Sequence, residues 1–147
     1  MQSVDIFITC EEGAVVPEYC SLLASGADVR ACISNAMVLE PGERMIVPTG
    51  IKMEIPEGYE IQVRPRSGLA AKYGITVVNT PGTIDADYRG ELKVILINHG
   101  KISFTIEPGM RIAQIVLAPV VHARFVMKTE LAATARGEKG FGHTGTT

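Results

Sequence analysis

Short runs in which every second residue is apolar recur along the chain, most clearly Ile51-Lys52-Met53-Glu54-Ile55 and Tyr59-Glu60-Ile61-Gln62-Val63-Arg64. Period two puts successive side chains on opposite faces, so each run predicts a half-buried strand. Residues 91–98 (ELKVILIN) and 111–117 (RIAQIVL) are more continuously apolar, as expected of strands covered on both faces in the core or at a subunit contact. Helical periodicity is almost absent. The exception is a short segment predicted to open at Ser67, a good N-cap residue, and to run through Leu69-Ala70-Ala71-Lys72-Tyr73 to Gly74.

The runs are punctuated by Glu40-Pro41-Gly42, Pro56-Glu57-Gly58, Thr80-Pro81-Gly82, Asn98-His99-Gly100 and Glu107-Pro108-Gly109. Proline presets φ and glycine accepts positive φ, so these are turns, and short strands at such spacing predict an all-β sandwich or barrel. From Lys128 onward Lys128, Arg136 and Lys139 sit among Gly, Ala and Thr with a lone aromatic, Phe141. That tail lacks the apolar residues for a core. The chain therefore divides into a β core over 1–127 and a flexible C-terminal arm over 128–147, within one domain.

Composition narrows the function. With 46% hydrophobic residues, 20% charged residues and a net charge of −2, the 147-residue chain has neither a disordered composition nor a broad basic footprint for nucleic acid. Phosphate binding has to come from a local cluster. Cys10, Cys20 and Cys32 form no CxxC pair or zinc spacing, which favours reduced thiols in a cytosolic protein. The N-terminus has no basic leader with an apolar run, and no stretch approaches the ~18 apolar residues of a membrane span; a soluble, cytoplasmic protein is expected.

Five segments carry candidate chemistry: Ser25-Gly26-Ala27-Asp28-Val29-Arg30-Ala31, Pro65-Arg66-Ser67-Gly68-Leu69-Ala70, Gly82-Thr83-Ile84-Asp85-Ala86-Asp87-Tyr88-Arg89-Gly90-Glu91, Arg111-Ile112-Ala113-Gln114-Ile115 and Arg136-Gly137-Glu138-Lys139-Gly140-Phe141-Gly142-His143-Thr144-Gly145. Taken singly, Arg66-Ser67 is a helix start whose free N–H groups suit an anion. The Asp85 to Arg89 cluster is by itself an ordinary charged loop, and Asp28 on its alternating strand is by itself either an exposed residue or a carboxylate paired with a nearby arginine. Ile112 and Ile115 read as packing residues, and Arg111 as structural or at a subunit contact.

Together and in this order the segments resemble the motifs of the dUTPase family, over residues of about 25 to 145. The resemblance implies a distorted jelly-roll or β-clip barrel with one short helix and a flexible arm. It implies hydrolysis of dUTP to dUMP and pyrophosphate with Mg²⁺, limiting uracil incorporation into DNA and supplying dUMP for dTMP synthesis. Asp85 would be the general base, activating a water that attacks the α-phosphorus in line. Arg66, Ser67, Gly68 and Gln114 would hold phosphates, and Asp28 would hold the metal through its waters.

By the same resemblance Asn79, with backbone groups near Leu92, Lys93 and Val94, would read uracil. Thr83 and Ile84 would also line the substrate site, and Tyr88 would lie under the deoxyribose and exclude a 2′-hydroxyl. Phe141 would cover the base, with Arg136, Gly142 and Thr144 on the γ-phosphate. The arm would reach across a homotrimer to complete a neighbour's site, with neither nucleic acid nor membrane as a direct partner. Two positions depart from the family's commoner pattern. Lys139 replaces glycine and adds a charge near the phosphates, and His143 replaces a serine hydroxyl with a ring nitrogen. Val29 stands where leucine is common. A dCTP deaminase of the same fold, or a dUTP-binding sensor without turnover, are the alternative readings; ammonia release from dCTP would mark the first.

Overall fold

A computed structural model of the chain describes residues 2–147. Among these, ten strands and one helix follow in order: β1 (Phe7–Cys10), β2 (Ala27–Arg30), β3 (Met37–Leu39), β4 (Arg44–Glu54), β5 (Tyr59–Arg64), α1 (Ser67–Tyr73), β6 (Ile75–Val77), β7 (Gly82–Ile84), β8 (Glu91–Asn98), β9 (Phe104–Ile106) and β10 (Arg111–Pro119). The strands form a sheet β1-β4-β8-β6, a second sheet β2-β10-β5-β7 and a small pair β3-β9. All pairings between these strands are antiparallel. The all-β class with a short helix is as expected from the alternation. Each sheet is an open ladder rather than a hydrogen-bonded ring.

The two larger sheets enclose the core. Their inward positions supply Val29, Val47, Ile51, Ile61, Val63, Ile75, Val94, Leu96, Ile112 and Ala113, while β3 and β9 add Leu39 and Ile106. Each fully buried isoleucine or leucine contributes roughly 1.5–3 kcal/mol by leaving water. β5 alternates as its sequence predicts, with Ile61 and Val63 inside. β8 also alternates, burying Leu92, Val94, Leu96 and Asn98 and leaving Ile95 and Ile97 half-buried. Within one chain, then, β8 is covered on one face only. In β4 the register against β8 shifts between Pro48 and Ile51, where proline has no N–H to give the ladder.

The helix starts one residue earlier than predicted. Arg66, with extended φ and ψ, holds the N-cap position without a side-chain cap bond, and Ser67 is the first helical residue. Gly74 ends the helix at φ 70°, its N–H reaching the carbonyls of Ala70 and Leu69. A side chain there is barred twice, by the left-handed backbone and by Gly100, whose N would lie 2.6 Å from an added Cβ. The predicted turns at Gly42, Gly58 and Gly109 all take positive φ.

Asn98, the last residue of β8, ties that strand to β3 and to the turn that follows it. Fully buried, it donates from Nδ2 to the carbonyls of Leu39 (2.9 Å) and Ile102 (2.8 Å), and its Oδ1 accepts from Gly100 N (2.8 Å). Replacement by leucine strands these backbone groups, each costing about 1–3 kcal/mol. We expect Asn98→Leu to lose about 3–5 kcal/mol in urea unfolding; a loss below about 1 kcal/mol would show that water takes over the bonds.

Candidate active site

A cleft of ≈ 310 Å³ opens where β5 and β7 of one sheet diverge from β4, β6 and β8 of the other; its walls include Val63, Val77, Asn79, Gly82, Thr83, Ile84, Asp85, Tyr88 and Lys93. Its shape follows from the topology. β6 and β7 are the edge strands of their sheets, and the turn between them, with its cis Thr80–Pro81 bond, carries Asn79. β8 lends the stretch Leu92 to Val94 as the opposite wall. Ile46 on β4 and Ile95 on β8, which pair across the ladder, give one side an apolar surface. A cleft with one apolar side and an amide in its wall suits a planar polar ring.

Asp85 follows directly on β7, where the chain leaves the sheet, and its side chain is exposed at the cleft. The loop after it is braced from within: Tyr88 N bonds to Asp85 O (3.1 Å), and Arg89 Nη1 donates to the carbonyls of Ala86 (2.6 Å) and Tyr88 (3.1 Å). Arg89 thus serves as a clasp on the loop. Tyr88 donates its hydroxyl to Glu91 O (3.0 Å), and its ring lies directly on Gly90, where an added Cβ would sit 2.3 Å from the phenol oxygen. Gly90 gives the ring its resting place.

A smaller cavity of ≈ 150 Å³ is lined by Asp28, Arg66, Ser67, Gly68 and Gln114. Strand pairing brings these residues together, since Gln114 stands opposite both Asp28 on β2 and Arg64 on β5. Arg66 and Ser67 come next along the chain after β5. Gln114 Nε2 donates to Pro65 O (3.0 Å), tying β10 to the chain leading into the helix. A seven-residue helix has only a small dipole, so its start offers chiefly free N–H groups. With Arg66 and the Ser67 hydroxyl they make a polar, cationic seat.

Asp28 is the most connected carboxylate here. Its side chain, 13% exposed, accepts from Arg66 Nε at Oδ1 (3.0 Å) and from Arg111 Nη1 at Oδ2 (3.1 Å). Cys20 Sγ lies 3.2 Å from Oδ2 and also 3.2 Å from Arg111 Nη1. The hydrogen bond to Cys20 and then the charge of Asp28 raise Arg111 above its ordinary pKa, so it stays a cation. Among the described residues no three His, Cys, Asp or Glu side chains converge as a metal cage. A single carboxylate beside a polyanion seat fits Mg²⁺, which keeps several waters and takes other ligands from phosphate.

The site residues expected from the sequence thus fall into two groups the fold brings together and one it does not. Asn79, Thr83, Ile84, Asp85, Tyr88 and Lys93 line the first cleft; Asp28, Arg66, Ser67, Gly68 and Gln114 line the second. Arg136, Phe141, Gly142 and Thr144 line neither. They lie in the exposed tail, a series of turns in which Arg136 Nε donates to Lys139 O (2.7 Å) and Phe141 stands fully exposed at φ 51°. Cys20 and Arg111 were not expected at the site. The alternation along β10 marks Arg111 only as an outward residue, and no signal in the sequence joins Cys20 to Asp28.

Comparison with known proteins gives concordant results. The dUTPase family model matches residues 12–145. Deoxyuridine 5'-triphosphate nucleotidohydrolase of Chlamydia pneumoniae is 64% identical over 141 residues, covering 95% of this chain and 97% of its own. That of Chlamydia caviae is 61% identical over 143 residues, covering 94% and 97%. Among solved structures, the dUTPase of Staphylococcus bacteriophage 80alpha with dUPNHPP superimposes with a TM-score of 0.89 at 27% identity, covering 98% of this chain and 100% of that one.

Proposed function

The chain belongs to the dUTPase family, and from that premise we propose that it hydrolyses dUTP to dUMP and pyrophosphate using residues of both clefts, with Mg²⁺ bound alongside the triphosphate. The observation that carries this reading is that one fold builds both a cleft lined by apolar side chains, the Asn79 amide and Asp85, and a cavity lined by Arg66, Ser67 and Gln114.

Uracil enters the first cleft, where the Asn79 amide and the backbone of Leu92 to Val94 meet its polar edge. Cytosine reverses that edge's donors and acceptors, leaving buried groups unpaired at about 1–3 kcal/mol each. Tyr88, resting on Gly90, lies under the deoxyribose and leaves no space for a 2′-hydroxyl. The phosphates reach the second cavity, where Arg66, the Ser67 hydroxyl, the N–H of Gly68 and Gln114 hold them. Asp85 accepts the proton of a water and aims it at the α-phosphorus. When bound, Mg²⁺ neutralises charge developing on the leaving pyrophosphate, with Asp28 holding its waters.

The tail completes the site as a lid. Phe141 covers the base, and Arg136, Gly142 and Thr144 meet the γ-phosphate, excluding water and aligning the chain. Its exposure supports an arm that closes on a neighbour in a homotrimer, and the half-buried Ile95 and Ile97 of β8 suit a subunit contact. In the cell the reaction keeps dUTP scarce and supplies dUMP for dTMP synthesis; a cytoplasmic location fits, and no helix of the described residues is long and apolar enough to cross a membrane.

Pyrophosphate release with Mg²⁺ from dUTP, dCTP, dTTP and UTP tests this reading. Release from dUTP alone is expected; ammonia from dCTP, or binding of dUTP without turnover, would overturn it. Tyr88→Ala should lower the preference for dUTP over UTP by about tenfold to a hundredfold, the range for rejecting one added hydroxyl. An unchanged ratio of kcat/KM values would remove Tyr88 from sugar selection.

A further inference from the structure

Asp28 faces two guanidinium groups, and these are held in different ways. Arg111 stands on β10, which is laddered to Asp28's own strand, and its Nη1 is shared with Cys20 Sγ, whose segment is tied to β2 by the Glu18–Asp28 bridge. Arg66 stands where the chain leaves β5, lines the phosphate cavity and has Asp28 as its hydrogen-bond partner, well placed through Nε at 3.0 Å but poorly through Nη2 at 3.5 Å. Arg111 is not among the residues lining that cavity.

We propose that the two arginines divide the work on Asp28: Arg111 is a positioning residue that holds Oδ2 at all times, while Arg66 occupies Oδ1 only until a triphosphate arrives and draws its guanidinium to the phosphates. The inference rests on the reading of Asp28 as the residue that holds the metal's waters. Its physical basis is charge. One carboxylate between two guanidiniums gives the empty site a net positive balance, which repels a lone divalent cation and attracts a polyanion. A polyphosphate carries more charge than the carboxylate and offers the guanidinium fork a bidentate seat. Moving Arg66 across the cavity frees Oδ1 as an acceptor for metal-bound water. Arg111 keeps the carboxylate from following Arg66. Metal capture is thereby made to depend on the nucleotide.

Mn²⁺ binding, read from the electron paramagnetic resonance signal of the free ion, tests this without turnover. In nucleotide-free protein, Arg66→Met should bind Mn²⁺ on the order of tenfold more tightly than the unaltered chain, whereas Arg111→Met, which removes the same charge but also the group that positions the carboxylate, should gain clearly less. With dUPNHPP present, Arg111→Met should bind Mn²⁺ several-fold more weakly, and Arg111→Lys should recover part of that loss. Equal gains from Arg66→Met and Arg111→Met would reduce the effect to bulk charge and overturn the proposal, as would no gain from Arg66→Met. A different failure belongs to the underlying reading. If Asp28→Asn leaves Mn²⁺ binding in the dUPNHPP complex unchanged, Asp28 does not face the metal at all.

Discussion

Asp85→Asn is expected to lower kcat for dUTP by about 10²–10⁴-fold, the usual contribution of a positioned general base, while KM changes little. The amide is close in size to the carboxylate and keeps an acceptor oxygen, but it takes no proton from water at neutral pH. Because Asp85 is exposed and outside the core, and the loop behind it is braced by Arg89 and by the Tyr88 N–H, the substitution should leave the fold intact. Single-turnover kinetics separate chemistry from binding. Normal turnover by the asparagine variant would remove Asp85 as the base without touching the family assignment.

Removal of residues 128–147 should be nearly as damaging to activity and harmless to stability. None of these residues belongs to the hydrophobic core, so thermal unfolding of the shortened chain should match that of the full chain. Without the lid, the triphosphate remains open to water and loses the contacts that align it, and misplacement by about an ångström is enough to cost about 10²-fold. We therefore expect kcat/KM to fall at least that far. Binding of dUMP, which has no γ-phosphate for Arg136 and Thr144 to meet, should weaken less than binding of dUPNHPP. Full activity in the shortened chain would leave the tail with no part in the reaction.

What the sequence made legible depended on how local the signal was. β5 shows in the alternation of Tyr59 to Arg64 because period two and one-sided burial are properties of the segment itself. β3, β7 and β9 have three residues each, too few to display a period, and they exist because a neighbouring strand supplies their hydrogen bonds. Ser67 was a reasonable choice of cap by residue type. The backbone nevertheless turns helical at Ser67 itself, and Arg66 in the cap position leaves its side chain free for Asp28. For β8 the continuous apolar run implied cover on both faces, yet one chain supplies cover for only one.

The site divides along the same line. Asp85, Tyr88, Arg66, Ser67 and Gln114 stood out as polar residues in compact motifs whose resemblance to dUTPases named their roles. That Asp28 and Gln114 stand side by side is a consequence of strand register, which alternation along either strand alone does not reveal. The contact of Arg111 with Asp28 and Cys20 needed β10 to pack against β2 and the segment just before it, 83 residues away along the chain from Asp28, and the motif around Arg111 gave no hint of it. Gly90 was legible as a glycine but not as the bed of Tyr88.

Hydrolysis of dUTP in ¹⁸O-labelled water, followed by mass spectrometry of both products, tests the central claim most directly. Attack at the α-phosphorus by a water that Asp85 activates places the label in the phosphate of dUMP and none in pyrophosphate, and Asp85→Asn should slow the appearance of labelled dUMP. Label in pyrophosphate would put the attack on the β-phosphorus, and the assigned geometry of Asp85 and the phosphate cavity would be wrong.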